Sequence, residues 1–346
     1  MEKLRMVLSP SKTLEDVAAT ASASLCVLPG EDLGASRPVV SAPRGFVAPR
    51  PRPLRCTGDV LTLLSSTVAV LVRLCAGCFV SGWRPRLSLR PPRTEGAYAL
   101  RLFPFCYLSD SSRVLRGELP RPLGKLTLYE FDSSPFCRKV RDAATQLDLT
   151  LEIRPCPGAG HAPPTFFGDE HEQLHGRRTV PFLVDEGKGL GLFESEEIVS
   201  HLYDAYGPGA AAAPFTLRGA FALGSAGTAA ILRGMPADKL QVDARPDNHL
   251  MKPLVLYGYE GSPFSRPVRE KLCALGLRHT LVPCGRGSAN RATLANSTGR
   301  QFQVPHLQDP NTGAELSESI EIRVYLDRVY TTSGYTPLRG GSYYEQ

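Results

Sequence analysis

The 346-residue sequence has a single tryptophan, nine scattered cysteines and no lysine between residues 33 and 106. That segment holds eleven arginines against two acids, Asp59 and Glu95, so its formal charge is +9 and the rest of the chain is near −3 (6 − 9). No basic stripe with interleaved aromatics remains, which argues against nucleic acid as a partner. An odd, widely spaced set of cysteines also excludes a small secreted disulfide framework and favours a reducing or redox-controlled compartment. The length favours about two domains.

Residues 1–58 lack the apolar periodicity of a helix or a strand and are rich in Ser, Ala, Pro and Arg. From about residue 33 onward, the Arg-rich and acid-poor composition is typical of an organelle transit peptide. The first 32 residues contain five acids and fit that interpretation less well. A plain disordered tail is the alternative. We therefore interpret 1–58 as a transit or disordered leader.

Residues 59–123 are interpreted as an apolar helix and a connector. Val60 to Val80 is almost uniformly apolar except for Arg73. It could just span a bilayer, although the arginine costs about 2.5–3.5 kcal/mol on insertion scales. We favour the alternative that this stretch and the shorter apolar run 219–232 are helices packing on the domains or on each other. Cys75-Ala-Gly-Cys78 has no second pair and is expected to supply buried small side chains rather than a zinc or redox site.

The strongest pattern in the sequence is an internal repeat. Residues 126–156 align without a gap with residues 254–284, and the match resumes further on after one change of loop length. Identical pairs include Leu126/Leu254, Tyr129/Tyr257, Ser134/Ser262, Pro135/Pro263, Phe136/Phe264, Arg138/Arg266, Val140/Val268, Arg141/Arg269, Cys156/Cys284, Pro181/Pro305, Glu194/Glu318, Ser195/Ser319 and Tyr206/Tyr330. The predicted domains are therefore 124–207 and 252–332, with an Ala/Gly-rich connector over 208–251 and a tail over 333–346.

Both copies predict the same order of elements. A β-rich run ends in a Ser-Pro turn that opens a helix, because proline is preorganised for the first helical position. A second strand, a polar loop, a hairpin and a last helix from Ser195 or Ser319 follow. A right-handed crossover makes the first two strands parallel, and the hairpin adds antiparallel strands. The predicted fold is α/β: two tandem thioredoxin-like (β-α-β-β-α) domains behind a disordered leader and an apolar helical segment.

The motif Ser-Pro-Phe-x-Arg-x-Val-Arg, followed by Val-Pro and then Glu-Ser, resembles the N-terminal domain of glutathione S-transferases and related glutaredoxins. Two such copies behind an Arg-rich leader resemble the tandem proteins of this kind in plant and algal plastids. The resemblance implies a chloroplast location and glutathione as cofactor or ligand. It leaves open a glutathione-dependent transferase or redox enzyme, or a non-catalytic interaction or glutathione-sensing module. An unidentified protein partner and a peripheral membrane contact stay open as well. Relatives add an all-helical domain, for which we find no room in this sequence.

In that family the helix start after the first strand meets the glutathione sulfur, where orphan N–H groups and the helix dipole favour an anion. The Val-Pro bond is usually cis and exposes backbone that pairs with the tripeptide. The Glu-Ser pair binds the γ-glutamyl group, and an ordinary capped helix start is the alternative. The resemblance thus implies glutathione-binding positions at Ser134, Phe136, Val180, Pro181, Glu194 and Ser195, and at Ser262, Val304, Pro305, Glu318 and Ser319.

Serine stands in both copies where dithiol glutaredoxins have their attacking cysteine. A hydroxyl cannot exchange with a disulfide, so conventional dithiol exchange and cluster ligation are not expected. Serine can donate a hydrogen bond to a bound thiolate, worth about 1.5–3 kcal/mol or roughly one to two pKa units. A plain N-cap is the alternative role of Ser134. The catalytic candidates are Ser134 and Cys137, of which Ser134 is expected to dominate, because Cys137, like Cys156 and Cys284, is expected to be buried. No metal site is expected.

Overall fold

The computed structural model describes residues 5–7, 60–90, 99–103, 106–158, 165–245, 251–299 and 302–332. Most of the leader and the tail lie outside these ranges, so their predicted roles stay predictions. The N-terminal part contains strands β1 (Arg5–Val7), β2 (Arg84–Ser88), β3 (Ala99–Phe103) and β4 (Cys106–Ser111), and helix α1 (Val60–Val72). Strands β2, β4 and β3 form a small antiparallel sheet inside the region that the sequence suggested was a connector.

Both predicted repeats fold in the predicted order. The first comprises β5 (Leu126–Glu130), α2 (Pro135–Leu147), β6 (Leu151–Pro155), α3 (Phe166–His175), β7 (Phe182–Asp185), β8 (Leu190–Leu192) and α4 (Ser195–Tyr206). Helix α5 (Gly219–Leu232) follows in the connector. The second comprises β9 (Leu254–Gly258), α6 (Ser265–Ala274), β10 (His279–Pro283), α7 (Asn290–Thr298), β11 (His306–Asp309), β12 (Ala314–Ser317) and α8 (Ser319–Tyr330).

The prediction of a polar loop between the second strand and the hairpin was wrong, because α3 and α7 occupy that position. In the first repeat Thr165 caps α3 by accepting a hydrogen bond from the Gly168 N–H at 3.2 Å. The helix is short and mostly polar, but it buries Phe167 and His171 against the sheet-side aromatics. Four of its ten residues are buried, but only Phe167 among them is a large apolar residue, so the sequence shows no clear apolar periodicity there.

A single nine-stranded sheet runs through both repeats, in the order β1-β8-β7-β5-β6-β10-β9-β11-β12. Within each repeat the first two strands are parallel and the hairpin is antiparallel, as predicted. The repeats join where β6 and β10 pair antiparallel, with Leu151 opposite Leu281. Both leucines are buried and belong to one apolar core that includes residues of both repeats. Pairing two otherwise open edges in this way removes a liability to aggregation and fixes the relative position of the repeats.

The apolar stretch from residue 60 to residue 80 is not one continuous helix. Helix α1 ends at Val72 and packs against α5, which in turn packs against α2. This arrangement confirms the prediction that the two apolar runs pack on each other and on the domains. Among the described residues, no helix has both the length and the apolar character that a membrane span requires.

Candidate functional site

The two motif serines lie at matching helix starts. The Ser134 Oγ accepts a hydrogen bond from the Cys137 N–H at 3.3 Å, and the Ser262 Oγ accepts one from the Ser265 N–H at 3.1 Å. Ser134 is 3% exposed and Ser262 is 1% exposed. Ser134 is therefore the N-cap of α2, whereas Ser262 lies three residues before α6 and accepts from the first residue of that helix. The Ser134 hydroxyl also lies within hydrogen-bonding reach of the Cys137 thiol, so a bound thiolate would compete with that sulfur for the Ser134 proton.

Cys137 lies fully buried one turn inside α2. Burial, reinforced by the nearby Glu130 carboxylate, raises the pKa of its thiol to about 12, so it is protonated at neutral pH. Only a thiolate attacks a disulfide efficiently, and Cys137 is therefore a poor nucleophile. Cys156 and Cys284 are likewise buried, as predicted.

The two Val-Pro elements take the predicted geometry. The peptide bonds Val180-Pro181 and Val304-Pro305 are both cis. Each proline is buried directly before the strand that pairs antiparallel with the first strand of its repeat, while each valine is partly exposed. The partly exposed valine backbone is the part of this element to which the family resemblance assigns tripeptide binding.

The Glu-Ser elements show a feature that no sequence pattern announced. Glu194 has φ 64° and ψ 115°, and Glu318 has φ 80° and ψ 127°, each immediately before the last helix of its repeat. Positive φ is uncommon for a residue with a Cβ, and sparsely populated backbone conformations cost about 1–3 kcal/mol each. Neither glutamate caps its helix through its side chain. Both copies therefore have a strained glutamate whose carboxylate makes no capping hydrogen bond to the following helix.

The two glutamates differ in what surrounds them. Within the described part of the chain, the exposed Glu194 carboxylate has no hydrogen bond or ion pair. Glu318 is half-buried and accepts a hydrogen bond from the Gln303 Nε2. Burial raises the pKa of Glu318, and the nearby Glu321 raises it further. The first repeat thus offers the better cation-binding carboxylate.

Two exposed side chains near these elements extend the candidate site. Phe136, on the first turn of α2, is 47% exposed. The Arg177 guanidinium lies 5.5 Å from the centre of the Phe193 ring, and Phe193 is the residue before Glu194. Sequence reasoning missed Arg177, although its place four residues before Pro181 could have suggested a basic group beside the tripeptide backbone.

The arginines of the repeated motif have a different role, at the joint between the repeats. The Glu260 carboxylate forms ion pairs with three arginines, at distances of 3.1 Å to Arg138 Nε, 2.8 Å to Arg141 Nε and 3.0 Å to Arg269 Nη2. Arg269 also contacts Asp132 at 3.1 Å. We call Glu130, Asp132, Arg138, Arg141, Glu260, Arg266 and Arg269 the joint cluster, and all of its members are buried. The repeat supplies it symmetrically, because Asp132 and Glu260 occupy matching positions, as do the two arginine pairs.

The family comparison agrees with this geometry. The family model described as the glutathione S-transferase N-terminal domain matches residues 128–210 and, a second time, residues 256–334. Both repeats match the glutathione S-transferase N-terminal domain. The matches begin inside the first strand of each repeat and end beyond its last helix, so they contain all the positions considered above.

One solved structure is also similar, the Bombyx mori glutathione transferase BmGSTD1 in complex with GTT. It is 27% identical over 26% of this chain and 39% of that chain, with a TM-score of 0.20. The match therefore spans well under half of that transferase. No curated protein matches this chain. In the described residues, no group of three or more His, Cys, Asp or Glu side chains is placed to hold a metal ion.

Proposed function

We propose that the chain binds glutathione at its first repeat and that Ser134 stabilises the bound thiolate, in a glutathione-dependent transferase or redox reaction. The observation that carries the proposal is the strained backbone at Glu194 and Glu318, which recurs in both repeats. A fold needs no such strain at a helix start, since serine or aspartate caps a helix in an ordinary extended conformation. Backbone strain of this kind is concentrated at active sites and ligand-binding positions, where it fixes the direction of a side chain.

At the first repeat the groups around that strain suit the two ends of glutathione. The unpaired Glu194 carboxylate can accept hydrogen bonds from the γ-glutamyl ammonium group, and Ser195 opens the helix beside it. The start of α2 supplies orphan N–H groups, the positive end of a helix dipole and the Ser134 proton, all of which favour a thiolate over a thiol. Arg177 can attract a ligand carboxylate by charge.

The burial of the two motif serines favours a second candidate, a glutathione-sensing or interaction module without chemistry. A hydroxyl that is only 3% exposed leaves a second substrate little room to approach the sulfur. Under this alternative the ligand binds through Glu194 and the Val180-Pro181 backbone, and its thiol keeps an ordinary pKa.

Isothermal calorimetry with glutathione and the full chain tests the proposal. Glu194→Gln removes the charge but keeps the side-chain shape and the backbone strain. It should weaken binding about 10- to 100-fold, because a hydrogen bond to a charged group is worth about 1.5–3 kcal/mol. Glu197→Gln, two residues beyond Ser195 on the same helix, is the matched control and should bind within about twofold of the natural chain. Equal affinities of the two variants would contradict the proposed site.

Thiolate absorbance then separates the two candidates. A pKa of bound glutathione below that of the free thiol supports the thiolate-stabilising enzyme. An unchanged pKa on a protein that binds glutathione tightly supports the sensing module instead.

A further inference from the structure

The Cys75-Ala-Gly-Cys78 segment forms a tight turn directly after α1. The Cys78 N–H donates to the Cys75 carbonyl at 3.1 Å, and Gly77 takes φ 75°, which closes the four residues on themselves. Both cysteines are partly exposed, so the prediction that they are buried small side chains was wrong. The turn therefore places two partly exposed thiols beside each other.

The two thiols are close enough to interact. Burial raises the pKa of Cys78 to about 12, and the neighbouring Cys75 and Asp142 side chains raise it further. Cys78 is therefore protonated at neutral pH. The Cys78 thiol also donates to the Gly261 carbonyl at 3.6 Å, so we assign the attack on an external disulfide to Cys75.

The turn is seated at the joint between the repeats. A Cβ at Gly77 would collide with the Asp142 carboxylate of α2 and lie 2.8 Å from the Cβ of Glu260. A Cβ at Gly261 would collide with the Cys78 sulfur, and the Gly261 N–H donates to the Gly77 carbonyl at 3.0 Å. The turn therefore packs against both repeats, and Cys78 contacts Gly261, the residue before Ser262.

We propose that Cys75 and Cys78 are a redox site, in which a low-molecular-weight disulfide such as glutathione disulfide oxidises the dithiol to an intramolecular disulfide. The Cys75 thiolate attacks one sulfur of glutathione disulfide, forming a mixed disulfide and releasing one glutathione thiolate, which takes up a proton. Cys78 then loses its proton to solvent and attacks the Cys75 sulfur, which releases the second glutathione. The protein loses two protons and two electrons, which reduce one glutathione disulfide to two glutathione molecules.

Its position makes this pair a switch rather than a catalyst of disulfide exchange. The Cys75 N–H donates to the Val70 carbonyl at 3.1 Å, so the pair lies at the C-terminal end of α1. Burial disfavours the Cys78 thiolate, whereas catalytic Cys-x-x-C pairs have their thiolate stabilised. When ionisation does not stabilise the reduced dithiol, the corresponding disulfide has little tendency to oxidise other proteins.

Differential alkylation tests the proposal on the full chain. Trypsin cuts after Arg73 and Arg86 but not at Arg84-Pro85, so one peptide, 74–86, contains this cysteine pair and no other cysteine. After incubation in excess glutathione disulfide and alkylation under denaturing conditions, this peptide should lack both alkyl groups and two hydrogens. The buried Cys137 and Cys273 should remain fully alkylated. A peptide 74–86 that stays doubly alkylated, or buried cysteines that react as fast, would overturn the proposal.

Single variants identify the attacking thiol. Cys78→Ser should trap glutathione on Cys75, and Cys75→Ser should take up glutathione on Cys78 at least tenfold more slowly. Equal trapping rates would overturn the order of attack. Hydroxyethyl disulfide should oxidise the pair as glutathione disulfide does, since the reaction uses no glutathione pocket. The redox site can therefore stand even if calorimetry shows no glutathione binding at the first repeat.

Discussion

Glu260→Gln should destabilise the protein more than any exposed charge substitution does. The Glu260 carboxylate is 1% exposed and lies within 3.1 Å of guanidinium nitrogens from Arg138, Arg141 and Arg269. Burial alone would raise the pKa of Glu260, but the three arginines outweigh it and hold that pKa well below its ordinary value. A glutamine of the same shape leaves these buried arginines without their shared counter-charge. Removing one partner from a buried ionic cluster costs about 3–5 kcal/mol.

Urea unfolding followed by circular dichroism and by fluorescence measures this loss. The single tryptophan, Trp83, has its ring stacked beneath Arg286 of the second repeat and therefore reports on that part of the molecule. Glu315→Gln changes the same charge on the exposed face of β12 in the same repeat and should alter the free energy of unfolding by less than about 0.5 kcal/mol. Glu260→Gln should lower it by about 3–5 kcal/mol at pH 7.

The pH dependence supplies an internal check on Glu260. A carboxyl whose folded-state pKa is lowered stabilises the protein fully above its unfolded pKa, which is about 4.3, and loses that contribution as the pH falls toward the folded value. The difference between the natural chain and Glu260→Gln should therefore be complete above about pH 5 and shrink below about pH 4. A loss under about 1 kcal/mol at pH 7 would refute the idea that the joint cluster is held by desolvated charge.

Three further predictions concern the helix start, a buried acid and the leader. Ser134→Ala should cost about 1 kcal/mol of stability as a lost N-cap and should raise the pKa of bound glutathione by about one to two units in a thiolate absorbance titration. Ser262→Ala should leave that pKa unchanged, and equal effects of the two variants on it would contradict the assignment. Burial raises the pKa of Asp148 to about 6, so its carboxyl should contribute a loss of stability as the pH rises from about 4 to 6. Asp148→Asn should remove that contribution, and the difference in urea stability between the two chains measures it across this pH range; a difference that does not change with pH would contradict the prediction. The Arg-rich leader should be removed on import into a plastid, so mass spectrometry of the cellular protein should not find Met1, and an intact Met1 would contradict this prediction.

The repeat was the source of nearly everything that the sequence predicted correctly about the fold. Two copies that align with one change of loop length indicated equivalent strands, helices and turns, because the same local signals, such as Ser-Pro at a helix start, occurred twice. Both cis bonds followed from the family resemblance rather than from the residues themselves. The small β2-β4-β3 sheet was missed because β2 reads Arg-Pro-Arg-Leu-Ser and is exposed throughout, so it shows no alternation of apolar and polar residues.

The joint between the repeats could not be predicted from sequence. Leu151 and Leu281 indicate two buried strands equally well whether or not those strands pair with each other. Arg141 and Arg269 were visible as matching residues, but only the folded chain shows that they meet the acids of the opposite repeat. The strain at Glu194 was also invisible, because a backbone angle leaves no mark on residue type when the residue is not glycine.

The most direct measurement of the central claim is one calorimetric titration of the full chain with glutathione, repeated with the dipeptide Cys-Gly. Because Glu194 is unpaired while Glu318 is engaged by Gln303, we expect one glutathione per chain at the first repeat. Cys-Gly lacks the γ-glutamyl group that Glu194 would hold, and its affinity should be at least tenfold lower, a loss of about 1.4 kcal/mol or more. Absence of glutathione binding, or equal binding of the two peptides, would contradict the account.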